Sequence, residues 1–211
     1  LGAPGVARLA VRRGAEIPRA RRGGGWADTE SGLRAPSCVA TRGSGGGDAE
    51  TPRRSVEAGG AEGVVAWVLA GPASGQGGLV LDAMSIVEAR PTDFAGAVVV
   101  GGMGSVDLWE NGIAHKFFRM AANDGKPIGA LSLGVWLLAK AGLLEGKAAT
   151  IWRTPDALRA LKDGGARYEK KPVVIAAGIL TADGPASAES FGHIFAELLD
   201  GSRSRSGRVA R

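Results

Sequence analysis

The sequence predicts an α/β fold, a three-layer sandwich in which helices cover both faces of a mostly parallel sheet. Short continuous apolar runs, at residues 64–69, 97–100, 128–131 and 172–177, alternate along the chain with segments of helical period. Strands that are buried on both faces have this unbroken apolar pattern, whereas half-exposed strands alternate. The 211 residues are sufficient for one domain with a sizeable core.

The segment 125–144 contains the clearest motif. Residues 128–131 are predicted to form a strand, 132–134 a sharp turn and 135–144 a buried helix. Ala130, Ser132 and Gly134 form a small-x-Ser-x-Gly pattern at this strand-to-helix corner. A nucleophile elbow has this pattern, because such a turn lifts the serine out of the sheet and brings helix N-terminal amides close to a developing oxyanion.

The remaining elements follow from periodicity and from Gly and Pro positions. One helix is predicted at 106–123, with Ile113, Phe117, Met120 and Ala121 on its buried stripe. Another helix is predicted at 155–164, because a proline stands at its start and Gly164 and Gly165 stand at its end. The other predictions are a loop at 71–78, a strand at 79–81, a connection at 82–91, a strand at 148–152, an exposed segment at 166–171 and a closing helix at 190–199.

The two ends differ from the middle in composition. Residues 1–54 are rich in Gly and Arg and are predicted to be disordered, apart from a candidate first strand at 6–11. Residues 55–200 are predicted to form the domain, and 201–211 a basic, disordered tail with four arginines. The basic ends could neutralise phosphates, but no aromatic residues interleave the tail arginines, so nucleic-acid binding is not the favoured prediction.

Cysteine content and hydropathy bear on the compartment. Cys38 is the single cysteine, which excludes an internal disulfide and suits a reducing compartment. No run of eighteen apolar residues is present, so no membrane span is predicted. These features predict a cytoplasmic protein, and Leu1 in place of Met indicates a fragment or a processed form.

Residues 55–200 resemble the ThiJ/PfpI superfamily, the DJ-one-like branch of the class I glutamine amidotransferase-like fold. The resemblance is strongest at residues 97–146 and 172–199. The family carries Ala-x-Cys-His-Gly at this corner, followed by a helix similar to residues 136–144 of this chain. The resemblance implies a flavodoxin-like sheet and a homodimer. Residues 93–100 and 126–130 are also similar to the C-terminal domain of large-subunit catalases, which lacks the cysteine.

The resemblance also assigns candidate site residues. Ser132 stands where the family has its nucleophilic cysteine, and Leu133 where it often has a histidine. The backbone amides of Gly102 and Leu133 would form the oxyanion hole. Glu16, at the end of the candidate first strand, would match the acidic residue that holds the nucleophile's proton, although a surface position is the favoured interpretation.

Other catalytic and cofactor arrangements have weaker support. Gly102 and Gly104 lack the third glycine of a dinucleotide motif, and the single cysteine and two histidines have no metal-ligand spacing. We therefore predict no cofactor and no metal. His115 and His193 are both predicted to lie on outward helix faces, which opposes a triad of Ser132, Asp183 and His193.

The predicted function is a ThiJ/PfpI-like domain that has lost catalysis, with a stress-related or binding role and a small-molecule or peptide ligand in the elbow crevice. The alternative is an enzyme that uses Ser132, either a hydrolase or one of the glyoxalase, deglycase or peptidase type.

Overall fold

A four-stranded sheet forms the centre of the computed structural model, which describes residues 64, 66–67, 70–74, 80–102 and 106–209. Within those residues the strands are β1 (Ala66–Trp67), β2 (Gly71–Ser74), β3 (Val80–Ser85), β4 (Ala97–Val100), β5 (Ile128–Leu131), β6 (Ala148–Ala149), β7 (Arg167–Tyr168), β8 (Val173–Ala176) and β9 (Ile179–Ala182). The helices are α1 (Val106–Trp109), α2 (Gly112–Asn123), α3 (Val135–Lys140), α4 (Pro155–Asp163) and α5 (Ala188–Val209). The predicted strand at 6–11, Glu16 and Cys38 lie outside the described residues.

The central sheet has the order β4-β5-β9-β8. Strands β4, β5 and β9 run parallel, with Val100 opposite Leu131 and Leu131 opposite Ala182. Strand β8 pairs antiparallel with β9 through a tight hairpin. Two smaller sheets, β1-β3-β2 and β6-β7, lie beside it. The mostly parallel sheet of the predicted α/β fold is confirmed.

Alternate residues of β4 face two separate cores, which is the expected period of a strand. Ala97 and Val99 contribute to a core with α2, α3 and α4, whereas Val98 and Val100 contribute to a core with α5. All four residues are 1% exposed or less. The sheet is therefore the middle layer of three.

Two glycines allow α5 to lie close to the sheet. A Cβ atom on Gly129 would lie 2.7 Å from Cζ of Phe191, and one on Gly96 would lie 2.7 Å from Cδ2 of Leu199. Both contacts are shorter than the roughly 3.5 Å at which carbon atoms meet favourably. The absence of side chains at Gly96 and Gly129 thus leaves the space in which Phe191, Phe195 and Leu199 pack against the sheet.

The region before β4 differs from its prediction. Gly71–Ser74, predicted as a loop, is strand β2, and β3 continues to Ser85 through residues predicted as a connection. The two strands pair antiparallel from Gly71 opposite Ala83 to Ser74 opposite Val80. Gly and Pro have low strand propensity, so the pairing with β3, a tertiary effect, determines this structure.

The predicted helix at 106–123 is divided in two. The Asn111 side chain caps α2 by accepting hydrogen bonds from the backbone N–H groups of Ile113 and Ala114, both at 3.0 Å. The predicted stripe is right for Phe117 and Ala121, which are buried, and wrong for Ile113 and Met120, which are 46% and 44% exposed. The buried stripe consists of Ala114, Phe117, Phe118 and Ala121, at the i, i+3, i+4, i+7 spacing of a helix face.

Helix α3 is shorter than the predicted 135–144. Its end is a Schellman motif, in which Gly142 N–H donates to Ala139 O and Leu143 N–H donates to Leu138 O. Gly142 has φ 74°, a left-handed conformation that glycine adopts without strain. Leu143 and Leu144 therefore pack in the following turn.

Three predicted elements after α3 have different bounds in the structure. The strand predicted at 148–152 is reduced to β6, and α4 begins at Pro155, as predicted, with Thr154 as its N-cap. The closing helix α5 spans Ala188–Val209 and so enters the segment 201–211, which is predicted to be a disordered tail.

Candidate functional site

The carboxyl edge of the central sheet brings three turns together. Strands β4, β5 and β9 are parallel, so the residues that follow them leave the sheet at one edge. These residues are Gly101 and Gly102 after β4, Ser132 after β5, and Asp183 and Gly184 after β9. In open α/β sheets, ligands bind in crevices at this edge.

Ser132 has an unusual backbone conformation. Its φ angle is 58°, in the left-handed region that a residue with a side chain adopts at a cost of about 1–2 kcal/mol. It is 7% exposed and begins a short 3-10 turn, Ser132–Gly134, that leads into α3. This strand, strained serine and helix have the geometry of a nucleophile elbow.

Two glycines hold the elbow against the end of β4. A Cβ atom on Gly101 would lie 1.8 Å from the nitrogen of Gly134, and one on Gly134 would lie 2.6 Å from the carbonyl oxygen of Val99. Gly101 N–H also donates to Leu131 O at 2.9 Å. Backbone therefore contacts backbone directly here, and a side chain at either position would separate the two segments.

This contact positions the predicted oxyanion donors on the same edge. Leu133 lies against Gly101, since a Cβ on that glycine would be 2.3 Å from the Leu133 carbonyl carbon. Gly102 is the next residue after Gly101, and both Gly102 and Leu133 are half-buried. The structure thus brings Ser132, Gly102 and Leu133 into one region, and Glu16 lies outside the described residues.

Neither histidine is hydrogen-bonded to the elbow. His193 is exposed on α5, as predicted. The prediction that His115 faces solvent is wrong, because the ring is half-buried and its Nε2–H donates to Trp109 O at 2.7 Å. That bond holds His115 against the end of α1, so the ring supplies no base to Ser132.

Asp183 leaves the sheet beside Ser132 but has another partner. The Ser187 hydroxyl donates to Asp183 Oδ1 at 2.6 Å, and Asp183 N–H donates to Pro172 O at 3.0 Å. Among the described residues, none forms a hydrogen bond with the Ser132 hydroxyl. The arrangement of Ser132, Asp183 and His193 as a triad is therefore not assembled.

Two stacked tryptophans connect α1 to α3, the helix that follows the elbow. Trp136 of α3 stacks on Trp109 of α1, with ring centroids 4.1 Å apart and planes 4° from parallel. Beside them Lys140 Nζ lies 2.7 Å from Glu110 Oε1, and this hydrogen bond lowers the pKa of the Glu110 carboxyl. These contacts connect the end of α1 to the helix that follows Ser132.

Trp152 is a residue of this edge that the sequence patterns missed. It lies at the end of the predicted strand 148–152, where it was assigned no role, yet its indole is 48% exposed and lies against Gly184. The sequence does contain a signal for this position. A large aromatic residue directly follows a buried apolar run, and a Gly184–Pro185 turn lies elsewhere in the chain for it to contact.

A cleft at the opposite edge of the sheet has different chemistry. It measures about 270 Å³ and is lined by Lys126, Lys147 and the Ala177–Gly178 turn among other residues. Its lining includes no serine, threonine, cysteine or histidine side chain. The Lys126 ammonium donates to the carbonyls of Pro91 and Phe94, and partial burial lowers the pKa of this group. We therefore place the candidate site at the carboxyl edge.

Within the described part of the chain, no three His, Cys, Asp or Glu side chains are grouped as metal ligands. No helix in that part is long and apolar enough to cross a bilayer.

Known proteins resemble this chain in sequence and in fold. An uncharacterized protein of Methanocaldococcus jannaschii is 38% identical over 109 residues, which cover 51% of this chain and 53% of the relative. A Caenorhabditis elegans protein named as a glutathione-independent glyoxalase is 23% identical over 126 residues, covering 60% of this chain and 66% of that protein. The chain thus spans about half the length of the first of these relatives.

A solved structure establishes the fold. The crystal structure of a ThiJ/PfpI domain protein from Brachyspira murdochii superposes with a TM-score of 0.75 at 21% identity. The superposition covers 82% of this chain and 99% of that protein. The DJ-1/PfpI family model matches residues 42–198, which is well over half of the sequence. The chain therefore belongs to the DJ-1/PfpI family.

Proposed function

We propose that this chain is a DJ-1/PfpI domain that has lost covalent catalysis and binds a small-molecule or peptide ligand in the crevice at Ser132. One observation carries the proposal. Ser132 is held at φ 58° on an elbow, while no described acid or imidazole is hydrogen-bonded to its hydroxyl. The geometry for presenting a nucleophile is retained, while the described residues hold no group in position to activate it.

The chemistry of serine makes this difference decisive. A hydroxyl at neutral pH is a weak nucleophile, and a neighbouring base must take its proton during attack. A cysteine is far less dependent on a base, because part of it is thiolate at neutral pH. Replacing the elbow cysteine of the family by Ser132 therefore removes activity unless a base is added, and the described residues supply none.

The backbone of the site still suits a ligand. In our proposal, the amides of Gly102 and Leu133 bind a carbonyl or carboxylate oxygen of that ligand. The close contact of Gly101 with the elbow supports this role, because it sets the two turns at a fixed separation. Preorganised backbone donors do not depend on the side chain at position 132.

The alternative is an enzyme that depends on Ser132, of the hydrolase, glyoxalase, deglycase or peptidase type. The strained backbone favours it, because left-handed non-glycine residues cluster at active sites. The C. elegans relative that is named as a glyoxalase also favours it.

Fluorophosphonate labelling of the full chain separates the two functions, with Ser132→Ala as the control and a thermal melt to confirm folding. We expect no labelling that depends on Ser132 and no consumption of methylglyoxal. Labelling that disappears in Ser132→Ala would overturn the proposal and establish a working nucleophile.

A second variant shows whether the crevice is open. In a Cys38→Ser background, Ser132→Cys should react with iodoacetamide when the protein is folded. An unreactive thiol would contradict a binding role for this crevice, whatever the labelling result.

We further propose that the domain acts as a homodimer in the cytoplasm, in a stress-related role. Family membership supports this assignment. Light scattering of the purified chain tests the assembly, and a monomer at all concentrations would contradict it.

A further inference from the structure

A tryptophan is exposed at the edge of the sheet that carries the elbow. Trp152 is 48% exposed, although the two residues before it, Thr150 and Ile151, are 1% and 0% exposed. An indole is large and mostly apolar, so leaving half of it in water forgoes a substantial part of its burial energy. The exposed face is therefore a candidate contact surface.

The backbone that carries this indole is firmly anchored. Thr150 N–H donates to the Thr181 hydroxyl at 3.1 Å, which ties the segment to the neighbouring strand β9. The Thr181 hydroxyl in turn donates to Val174 O at 3.4 Å. On its other side, Thr154 caps α4 by accepting from Ala157 N–H at 3.1 Å. Trp152 is thus held between two fixed points.

The indole rests directly on the Gly184 backbone. A Cβ atom on Gly184 would lie 2.5 Å from Cε3 and 2.8 Å from Cζ3 of Trp152. Both are atoms of the six-membered ring, so this part of the indole covers the glycine. A side chain at position 184 would displace the ring, whereas glycine allows the contact.

This contact places Trp152 at the edge of the sheet that carries the elbow. Strands β5 and β9 are neighbours and parallel, with Leu131 opposite Ala182. Adjacent strands lie about 4.8 Å apart, so Ser132 and Asp183 leave the sheet side by side. Because Gly184 is the next residue after Asp183, the indole lies at the same edge of the sheet as the elbow.

We propose that Trp152 forms an aromatic wall of the Ser132 crevice and selects ligands that carry a planar aromatic group. This inference rests on the proposed binding function and names the class of ligand. Stacking on a rigid, half-exposed indole stabilises such a group at little cost in conformational entropy. Stacking requires no charged side chain on the protein. The nearby Asp183 carboxylate already accepts a hydrogen bond from the Ser187 hydroxyl.

Two maleimides that differ only in their substituent test this inference. The full chain carries Cys38→Ser and Ser132→Cys, so that the elbow holds its single thiol. Alkylation rates by N-phenylmaleimide and N-methylmaleimide are measured, and their ratio is divided by the ratio for glutathione. We expect this corrected ratio to favour the phenyl reagent about fivefold to tenfold, the effect of one aromatic stacking contact.

The wall is then removed in the same background. Trp152→Ala and Trp152→Leu should both return the corrected ratio to about one, and Leu keeps the apolar bulk if Ala does not fold. Tyr168→Ala is the matched control, because Tyr168 is an exposed aromatic residue on β7 outside the elbow turns. It should leave the ratio unchanged.

The outcomes separate this inference from the function on which it rests. A corrected ratio near one before Trp152 is changed, or an equal loss in Tyr168→Ala, would overturn the aromatic wall and leave the crevice in place. A folded protein whose thiol reacts with neither reagent would overturn the crevice itself, and the proposed function with it.

Discussion

The two edges of the central sheet each hold a residue with a left-handed backbone. Ser132, at the carboxyl edge, has φ 58°, and Ala177, at the amino edge, has φ 49°. In the described part of the chain these are the two non-glycine residues with positive φ. Each left-handed conformation costs about 1–2 kcal/mol. Because the two residues do not differ in this cost, we compare what holds each of them in that conformation.

At the amino edge the local turn explains the conformation. Ala177 and Gly178 form the two-residue loop between β8 and β9, and Ala176 pairs with Ile179 across it. Both loop residues have positive φ, as a type I′ hairpin turn requires. Ala177 is exposed, and the hairpin turn is sufficient to explain its conformation.

At the carboxyl edge no hairpin accounts for the strain. Ser132 lies between a buried strand and a buried helix, and Gly101 and Gly134 press the two segments together. Tertiary packing therefore maintains this conformation. The comparison shows that strain by itself does not mark a site. Strain that packing imposes at the edge where α/β sheets bind ligands is the more informative observation.

The largest expected effect comes from breaking the packing at the elbow. Gly101→Ala should lower the free energy of unfolding by about 3 kcal/mol or more, because the new methyl group would overlap the Gly134 backbone. Urea denaturation measures the change. Gly112→Ala is the control, since a Cβ there meets nothing within 4 Å, and it should be neutral or slightly stabilising. A Gly101→Ala protein within about 1 kcal/mol of the parent would refute the close contact.

A smaller effect should separate the two strained residues directly. Asparagine tolerates the left-handed region, so Ala177→Asn should raise the free energy of unfolding by about 0.5–1 kcal/mol at its exposed turn. Ser132→Asn should instead lower it by about 1–3 kcal/mol, because Ser132 is 7% exposed and a larger polar group must be buried. Equal changes in thermal or urea unfolding at the two positions would mean that the elbow is an ordinary open turn.

The smallest effect is a pH dependence at the amino edge. Burial lowers the pKa of Lys126 below its ordinary value of 10.5, so the unfolded chain binds the proton more tightly than the folded chain. Stability should therefore rise with pH between the lowered pKa and 10.5, as this penalty disappears. We measure the urea midpoints of the parent and of Lys126→Met at pH 7 and at pH 10. Between these pH values the midpoint of the parent should rise relative to that of Lys126→Met. A constant difference would show that Lys126 is not desolvated.

The sequence predicted the layers of the fold and the position of the elbow, because both depend on local signals. Continuous apolar runs identify β4 and β5, and the Ser132–Gly134 turn interrupts the second run. The β2–β3 hairpin was missed because Gly71 and Pro72 disfavour strands, and only pairing with β3 compensates. The burial of Ala114 in place of Ile113 on α2 was missed for a similar reason, since both are apolar and tertiary contacts select which one is buried.

The chemistry of the site depends on distances that one sequence does not contain. Periodicity placed His193 on an exposed face, but the bond between His115 and the Trp109 carbonyl spans a helix break that the pattern did not reveal. The contact of Trp152 with Gly184 joins residues 32 positions apart, and the hydrogen bond from Thr150 to Thr181 of β9 brings the two segments together.

The most direct test of the central claim is the pKa of a thiol at the elbow. The Cys38→Ser, Ser132→Cys chain is alkylated with iodoacetamide across a pH range, and the rate profile gives the pKa. If the elbow lacks an activating group, as we propose, partial burial should leave the pKa at or above the ordinary value of about 8.5. A thiol pKa clearly below about 7 would reveal a group that stabilises the anion and would contradict the account of a site without activation.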